Sequence, residues 1–233
     1  MIIFLSDLHL SFDKPQITRH FTHFLQTKAR QARKIYILGD LFDAWVGDDD
    51  FTYPNAQVRN ELKQLTDLGV KIYFQRGNRD FLIGERFAKE TDVILLDDYA
   101  VIDLEGQRTL LTHGDLLCSD DVAYQAFREK SRTPEWEKNV LSKPLWLRLI
   151  VARWYRIRSF FHKQKKSDYV MDVNQMTVKN LMKQHNCTRL IHGHTHRPAL
   201  HEFTLNGKKA QRFVLSDWSN EGGKVLIFED DKK

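Results

Sequence analysis

Short runs of β-branched and aromatic residues recur along the chain, and each ends in a polar cluster. Residues 2–5 lead into Ser6-Asp7, 34–38 into Gly39-Asp40, 71–74 into Arg76-Gly77-Asn78, and 109–111 toward His113. Runs this short and apolar predict buried strands whose carboxyl ends feed loops. Helical periodicity fills the gaps: residues 17–32 place Phe21, Phe24 and Leu25 on one face, and residues 57–68 are closed by Gly69. Strand and helix therefore alternate through the first third, which predicts βαβ units with parallel strands. Further on, residues 93–104 and 108–111 flank Glu105-Gly106-Gln107, and residues 199–205 and 211–215 flank Asn206-Gly207. Those turns predict hairpins and an antiparallel portion. The expected fold class is α/β (α+β), a pair of sheets covered by helices.

The pattern breaks over residues 121–185, where strand signals are missing and helix formers dominate, so a helical insertion between two halves of a single domain is expected. It interleaves Trp136, Trp146, Trp154, Tyr155, Phe160 and Phe161 with Arg148, Arg153, Arg156 and Arg158. Its longest apolar stretch, residues 145–155, is broken by two arginines and falls well short of the roughly twenty residues a membrane span needs. Such a segment can lie on a bilayer but not cross it. The net charge of +5 is unevenly spread, because residues 128–166 hold twelve Lys/Arg against three Asp/Glu and leave the remainder at −4. A solvated helical face is the plain reading of that block; the sharper one is an anionic partner, whether phosphorylated substrate, nucleic acid or lipid headgroup. With 233 residues, 42% of them hydrophobic, the chain can bury a substantial core. The amino-terminal residues read as a strand and not as a secretion signal. The two cysteines, Cys118 and Cys187, lack the spacing of a disulfide framework, so buried reduced thiols and a cytoplasmic setting are expected.

Five motifs carry the candidate chemistry: Asp7-Leu8-His9, Gly39-Asp40-Leu41-Phe42-Asp43, Gly77-Asn78-Arg79-Asp80, His113-Gly114-Asp115 and Gly193-His194-Thr195-His196. Each follows a predicted strand, and at that edge of a sheet loops distant in sequence gather into a site. An Asp-x-His pair puts both side chains on one side of an extended segment, so both can grip one ion. Carboxylate, amide oxygen and imidazole without thiolate suit manganese, iron or zinc in an oxygen-rich site. Asp40 is the natural bridge, since one carboxylate can span cations roughly 3.5–4 Å apart and two such charges lower the pKa of a water nucleophile. One ion would take Asp7, His9, Asp40 and His196; the other Asp40, Asn78, His113 and His194. Any one of these pairs alone usually marks a turn or a cap. Five in order, each after an apolar strand, are far more specific.

The ordered set resembles the calcineurin-like metallophosphoesterase superfamily, whose fold is a ββ sandwich flanked by helices, and the resemblance spans nearly the whole chain. Longer strings resemble, more narrowly, the UDP-2,3-diacylglucosamine pyrophosphohydrolase family of lipid A synthesis. These are residues 36–43, Gly47-Asp48-Asp49-Asp50, residues 77–82, Cys118-Ser119-Asp120-Asp121, residues 171–175 and residues 191–198. The resemblance implies Mn2+-dependent hydrolysis of the pyrophosphate of a UDP-linked diacyl sugar lipid at the α-phosphorus, giving UMP and the diacylglucosamine 1-phosphate, with two Mn2+ as cofactors. It implies a protein peripheral to the cytoplasmic side of the inner membrane, on an anionic lipid surface. Asp40, Asn78, Arg79 and His113 become the expected catalytic residues. Substrate contacts carry over to Asn78, Arg79, Asp121, Ser159, Lys166 and His194. Lys163 stands where the family usually has asparagine, and its amine can still reach polar groups of the glucosamine or a phosphate.

Two features of the chain fit that implication on their own chemistry. Most superfamily members have Gly-Asn-His where this chain has Gly77-Asn78-Arg79, and a permanently charged Arg79 cannot act as a general acid. A sugar phosphate, with a second pKa of roughly 6, leaves as an anion and hardly needs one; Arg79 would clamp phosphoryl oxygens. The basic, aromatic insertion suits a substrate with an anionic end and two acyl chains, and is expected to bind lipid. The nearest rival is a nuclease, phosphodiesterase or nucleotide pyrophosphatase of the same superfamily, with the insertion following a nucleic-acid backbone. The apolar density of residues 145–154 speaks against it, so no nucleic-acid partner is expected. A non-enzymatic scaffold of the same fold would show eroded ligands, whereas all seven are present. A monomer is expected.

Overall fold

The computed structural model describes residues 1–163 and 172–229, with the side chains of residues 159–163 excepted. The first half runs β1 (Ile2–Leu5), α1 (Pro15–Gln26), β2 (Lys34–Leu38), α2 (Asn55–Asp67), β3 (Lys71–Gln75), α3 (Glu85–Thr91) and β4 (Ile94–Leu96). The second runs β5 (Ala100–Leu104), β6 (Gln107–Leu111), α4 (Val122–Ser131), α5 (Pro134–Leu141), α6 (Leu145–Lys163), α7 (Gln175–Gln184), β7 (Arg189–His192), β8 (Ala199–Leu205), β9 (Lys208–Val214) and β10 (Leu226–Phe228).

The strands form two five-stranded sheets, ordered β10-β1-β2-β3-β4 and β5-β6-β7-β9-β8. In the first, β1 to β4 are parallel, as the βαβ alternation predicts, and β10 closes the edge antiparallel to β1. In the second, β6, β7 and β9 are parallel while hairpins add β5 and β8 antiparallel. The turn residues Asn206 and Gly207 have φ of 51° and 75°, and Glu105 and Gly106 have 54° and 71°. Both φ values are positive in each loop, the backbone twist that two-residue hairpins favour. Gln107 accordingly pairs with Leu104 as strand and not turn.

The apolar run over residues 93–104 is not one strand but two, in different sheets: β4 pairs with β3, and β5 with β6. The break falls at Asp97-Asp98, where the buried Gln75 amide donates to the carbonyls of Asp97 (2.7 Å), Asp98 (3.2 Å) and Leu111 (3.2 Å). One side chain thus satisfies the backbone where the chain crosses between sheets.

Period-two alternation gives each sheet two apolar faces. Ile2, Phe4, Tyr36 and Leu38 of the first sheet meet Leu104, Leu111 and Ile191 of the second. Phe4, Tyr36 and Tyr73 stack across three strands with ring centroids 4.9 and 4.7 Å apart. The other face of the first sheet, with Ile3, Ile35 and Phe74, packs on Phe21 and Phe24 of α1, Leu62 of α2 and Phe87 of α3. The second sheet's outer face, with Leu110 and Leu190, packs on Val178, Leu181 and Met182 of α7. The result is an α/β sandwich of four layers, helix–sheet–sheet–helix. Burying each large side chain contributes about 1.5–3 kcal/mol, and the interface between the sheets is built from such residues.

Helices α4, α5 and α6 lie between β6 and α7. α4 is capped by Asp121, which accepts from the Tyr124 amide at 3.2 Å, and α5 by Thr133, which accepts from the Trp136 amide at 3.3 Å. α6 is fixed to the body by the buried Arg148, whose guanidinium pairs with Asp49 and donates to the Val46 carbonyl. Its opposite side leaves Trp146, Ile150, Trp154 and Ile157 exposed. No helix of the described residues is long and apolar enough to cross a membrane.

Candidate active site

The carboxyl ends of β1, β2 and β3 in one sheet lie beside those of β6 and β7 in the other, so the five motif loops meet along one seam. Backbone hydrogen bonds knit them together: Asp7 to the Gly39 carbonyl (3.1 Å), His9 to the Asp40 carbonyl (3.0 Å) and Gly193 to the His113 carbonyl (2.8 Å). Among the described residues nine non-glycine positions have left-handed φ, and five of them are Asp7, His9, Asp40, His194 and His196. That conformation is costly for such residues and persists where surrounding contacts enforce it. Two glycines make the close approach feasible. A Cβ on Gly77 would stand 2.2 Å from Asp40 Oδ1, and one on Gly193 would stand 2.2 Å from Asp7 Oδ2.

Five of the seven predicted ligands meet in two overlapping groups, and the other two, Asn78 and His194, adjoin them. Asp7, His9 and His196 have donor atoms within 4.8 Å of one another, as do Asp7, Asp40 and His113. His9 Nε2 and His196 Nε2 are 3.2 Å apart, and Asp7 Oδ1 lies 4.0 and 3.5 Å from them. Asp40 reaches both groups, with Oδ2 3.7 Å from His9 Nδ1 and Oδ1 3.7 Å from His113 Nε2. Asn78 Oδ1 lies 3.1 Å from His113 Nε2. The His194 ring stands edge-on to His113, centroids 5.0 Å apart. Asp7, and not Asp40 alone, is therefore common to both groups. One Asp40 oxygen already accepts the Arg79 amide at 2.8 Å.

The donor set fits divalent cations. Asp7 Oδ1 is buried, faces His9 Nε2 and His196 Nε2 and has no hydrogen-bond partner, a costly arrangement unless something electropositive sits among them. The His113 ring argues likewise. Its Nδ1 faces the Leu38 carbonyl at 2.8 Å, an acceptor only, so Nδ1 carries the proton and donates. Nε2 then faces the oxygens of Asn78 and Asp40, and a neutral lone pair opposite two acceptors requires a proton or a cation between them. Burial alone would depress the His113 pKa, but the carboxylates of Asp40, Asp7 and Asp115 push it up to about 9. Burial likewise penalises the Asp7 carboxylate, yet His196, His113 and His9 hold it below the usual range. Asp40 goes the other way, raised by burial and then by the neighbouring Asp7.

Several residues that carry the site were not singled out from sequence. Asp80 accepts the backbone amides of Leu41 (2.7 Å) and Gly77 (2.7 Å), and more distantly Asp40 (3.3 Å) and Phe42 (3.4 Å), splinting the β2 and β3 loops together. Its place in Gly77-Asn78-Arg79-Asp80 was the available signal. Asp217 lies 3.4 Å from His196 Nδ1, the carboxylate–imidazole arrangement that orients ligating histidines. No motif marked it. Tyr124 donates to Asp115 at 2.5 Å while its ring sits 6.4 Å from His194, and only the three-dimensional path of α4 brings it there.

A cavity of about 670 Å³ opens from this cluster and runs under α5 and α6. Asn78, Arg79, Asp121 and His194, four of the residues expected to contact substrate, line it, and so do the apolar side chains of Trp45, Phe81, Leu82, Phe127, Trp136 and Val151. Arg79 Nη1 lies 3.7 Å from Asp43 Oδ1, and Arg156 of α6 pairs with the same carboxylate. Lys166 and the side chains of Ser159 and Lys163 lie outside the described residues.

Two sheets in a helix-flanked sandwich, with Asp, Asn and His gathered at one shared edge, are the architecture of a metal-dependent phosphoesterase. The chain belongs to the calcineurin-like phosphoesterase family, whose profile matches residues 1–198, and within it to the family of proteins named UDP-2,3-diacylglucosamine hydrolase. The protein of that name from Aliivibrio fischeri (strain MJ11) is 48% identical over 230 residues, covering 98% of this chain and 95% of its own. That from Klebsiella pneumoniae subsp. pneumoniae is 47% identical over 229 residues, covering 98% and 95%. That from Chromohalobacter salexigens is 46% identical over 229 residues, covering 98% and 93%.

Proposed function

We propose that the chain hydrolyses the pyrophosphate bond of UDP-2,3-diacylglucosamine at the α-phosphorus, releasing UMP and 2,3-diacylglucosamine 1-phosphate for lipid A synthesis. The observation that carries this is the cavity: a cluster of metal-ligand chemistry at one end, apolar walls of α5 and α6 along the other. A phosphoryl group at the cluster and acyl chains along the walls use both. Relatives of this chain bear the name of that activity.

Asp7, His9, Asp40 and His196 would hold one divalent cation, and Asp40, Asn78, His113 and His194 the other, both Mn2+ in this proposal. Bound there, the ions supply charge stabilisation at the phosphoryl oxygens and a water acidified enough to attack at neutral pH. The side chains do the rest. Arg79, steadied by Asp43, meets the phosphoryl oxygens as negative charge shifts toward the bridging oxygen. Water oxygen bonds to the α-phosphorus while the bond from that phosphorus to the bridging oxygen breaks, and the sugar phosphate departs as an anion. No protein acid is called for, which matches arginine at position 79. Asp121 and His194 line the same cavity, and Ser159, Lys163 and Lys166 complete the proposed substrate contacts.

The exposed side of α6 bears Trp146, Ile150, Trp154 and Ile157 beside Arg153 and Arg158, with Arg158 over the Trp154 ring at 5.5 Å. Aromatic and aliphatic groups flanked by arginines suit the interface of an anionic bilayer. The protein would work there as a peripheral monomer on the cytoplasmic side of the inner membrane, taking substrate from the lipid layer.

Turnover of UDP-2,3-diacylglucosamine with Mn2+ in ¹⁸O-water, read by mass spectrometry, tests the proposal. The label should appear in UMP and not in the sugar phosphate. Label in the lipid product would place attack at the other phosphorus. Inertness toward the lipid, with cleavage of oligonucleotides, would favour a nuclease.

A further inference from the structure

Tyr124, Arg128 and Arg132 recur at every fourth position and so share one face of α4. Tyr124 and Arg128 both donate to the Asp115 carboxylate, and Arg128 also pairs with Asp98 at 2.7 Å. These contacts fix α4 to the loop that follows β6 and to the crossover between β4 and β5. Arg132, at the carboxyl end of the helix, turns to a different loop. Its Nη2 donates to the Gly77 carbonyl at 2.8 Å, and its guanidinium lies over the Phe81 ring at 4.7 Å. The segment that carries Asn78 and Arg79 is therefore held on both sides by one side chain.

That grip matters because the Gly77 peptide has little room. The Gly77 amide donates to Asp80 at 2.7 Å, and the Arg79 amide donates to Asp40 at 2.8 Å. Asn78, between them, places its side-chain oxygen beside His113. Rotating the Gly77–Asn78 peptide would break the Arg132 contact and swing Asn78 away from His113. A guanidinium donating to a part-buried carbonyl is a charge-assisted hydrogen bond, stronger than a neutral one, and stacking on Phe81 restrains the fork further.

We propose that Arg132 is a positioning residue for phosphoryl transfer: by holding the Gly77 carbonyl and the Phe81 ring, it fixes Asn78 toward the metal cluster and Arg79 toward the cavity. It acts through those two residues and not on the substrate. The inference rests on the roles of Asn78 and Arg79 given above.

Kinetics and metal titration of Arg132→Ala and Arg132→Lys provide the test, with UDP-2,3-diacylglucosamine and bis-p-nitrophenyl phosphate as parallel substrates. Loss of an outer partner of a metal ligand costs about 10- to 100-fold in metal affinity or activity. For Arg132→Ala we expect a fall of that size in kcat, with KM changed by less than about threefold. Calorimetry should show weaker Mn2+ binding at one of two sites, and added guanidinium ion should restore part of the kcat of Arg132→Ala while leaving Asn78→Ala unchanged. Should Arg132→Ala fail to fold, Arg132→Lys decides, since it keeps the charge and loses the fork; lowered kcat with weakened metal binding supports the role. Unchanged kcat and metal binding in the lysine variant would overturn it, as would a raised KM at constant kcat, which would make Arg132 a substrate contact. If the unmodified protein cleaves only bis-p-nitrophenyl phosphate, the lipid assignment falls while the Arg132 comparison still stands on that substrate.

Discussion

Asp7 Oδ2 accepts the backbone N–H of His194 at 2.8 Å, joining positions 187 residues apart across the seam between the two sheets. The same oxygen accepts the Ser6 hydroxyl at 2.6 Å, which leaves Oδ1 aimed at His9 and His196. One carboxyl group thus divides its labour between holding the seam and facing the cluster. Asp7→Asn can keep the seam oxygen but not the charge. It should fold, yet lose bound metal on dialysis and fall in kcat by more than about a hundredfold, beyond the loss expected for an outer partner. Elemental analysis alongside turnover checks both parts.

Asp80 serves the loops differently, as an acceptor for buried amides. Removing it leaves at least the close donors Leu41 and Gly77 unsatisfied, at about 1–3 kcal/mol each. Asp80→Ala should therefore lose at least about 2 kcal/mol in urea unfolding, and Asp80→Asn, which retains one acceptor oxygen, should lose less. Equal stability of both variants with the unmodified protein would refute the splint.

In metal-free protein, burial is outweighed by the carboxylates of Asp40, Asp7 and Asp115, which should hold the His113 pKa at about 9, against an ordinary 6.5. A folded-state pKa raised in this way stabilises fully below about 6.5, and that stabilisation is lost as pH rises through about 9. Metal-free protein should thus unfold more easily at pH 9 than at pH 6.5. Divalent metal needs the neutral imidazole, so binding at pH 7 should expel a proton. Calorimetric titrations in two buffers of different ionisation enthalpy measure it; identical heats would contradict the assignment of His113 as a ligand.

Much of the fold was legible in the chain because parallel strands buried on both faces leave compact apolar runs, as in β1, β2 and β3. The five motifs were legible for a related reason: each sits where such a run ends, and the sheet edge does the gathering. The division of residues 93–104 was not, since periodicity cannot show which sheet a strand joins, and the deciding contact is made by Gln75 from a distant strand. Asp217, Tyr124 and Arg132 were equally invisible, because their relevance depends on where α4 and the segment after β9 pass the site. Asp7's membership of both donor groups depends on hydrogen bonds that leave one of its oxygens unpartnered.

The exposed side of α6 yields a separable prediction. Replacing Arg153 and Arg158 by glutamate places like charge against an anionic bilayer, where each basic residue is worth about 1 kcal/mol. Binding to vesicles containing anionic phospholipid should weaken by more than about tenfold for the pair. Activity on substrate in such vesicles should fall with it, while activity on a short-chain soluble analogue stays near that of the unmodified protein. Equal losses on both substrates would remove the membrane role from this helix.

Everything in this account depends on seven side chains from five loops closing around a pair of cations. Anomalous diffraction at the manganese edge from crystals soaked in Mn2+ measures that directly. Two peaks are predicted, one among Asp7, His9, Asp40 and His196 and the other among Asp40, Asn78, His113 and His194, both weakened in Asp40→Ala. A cluster without anomalous density, or a single peak away from these residues, would contradict it.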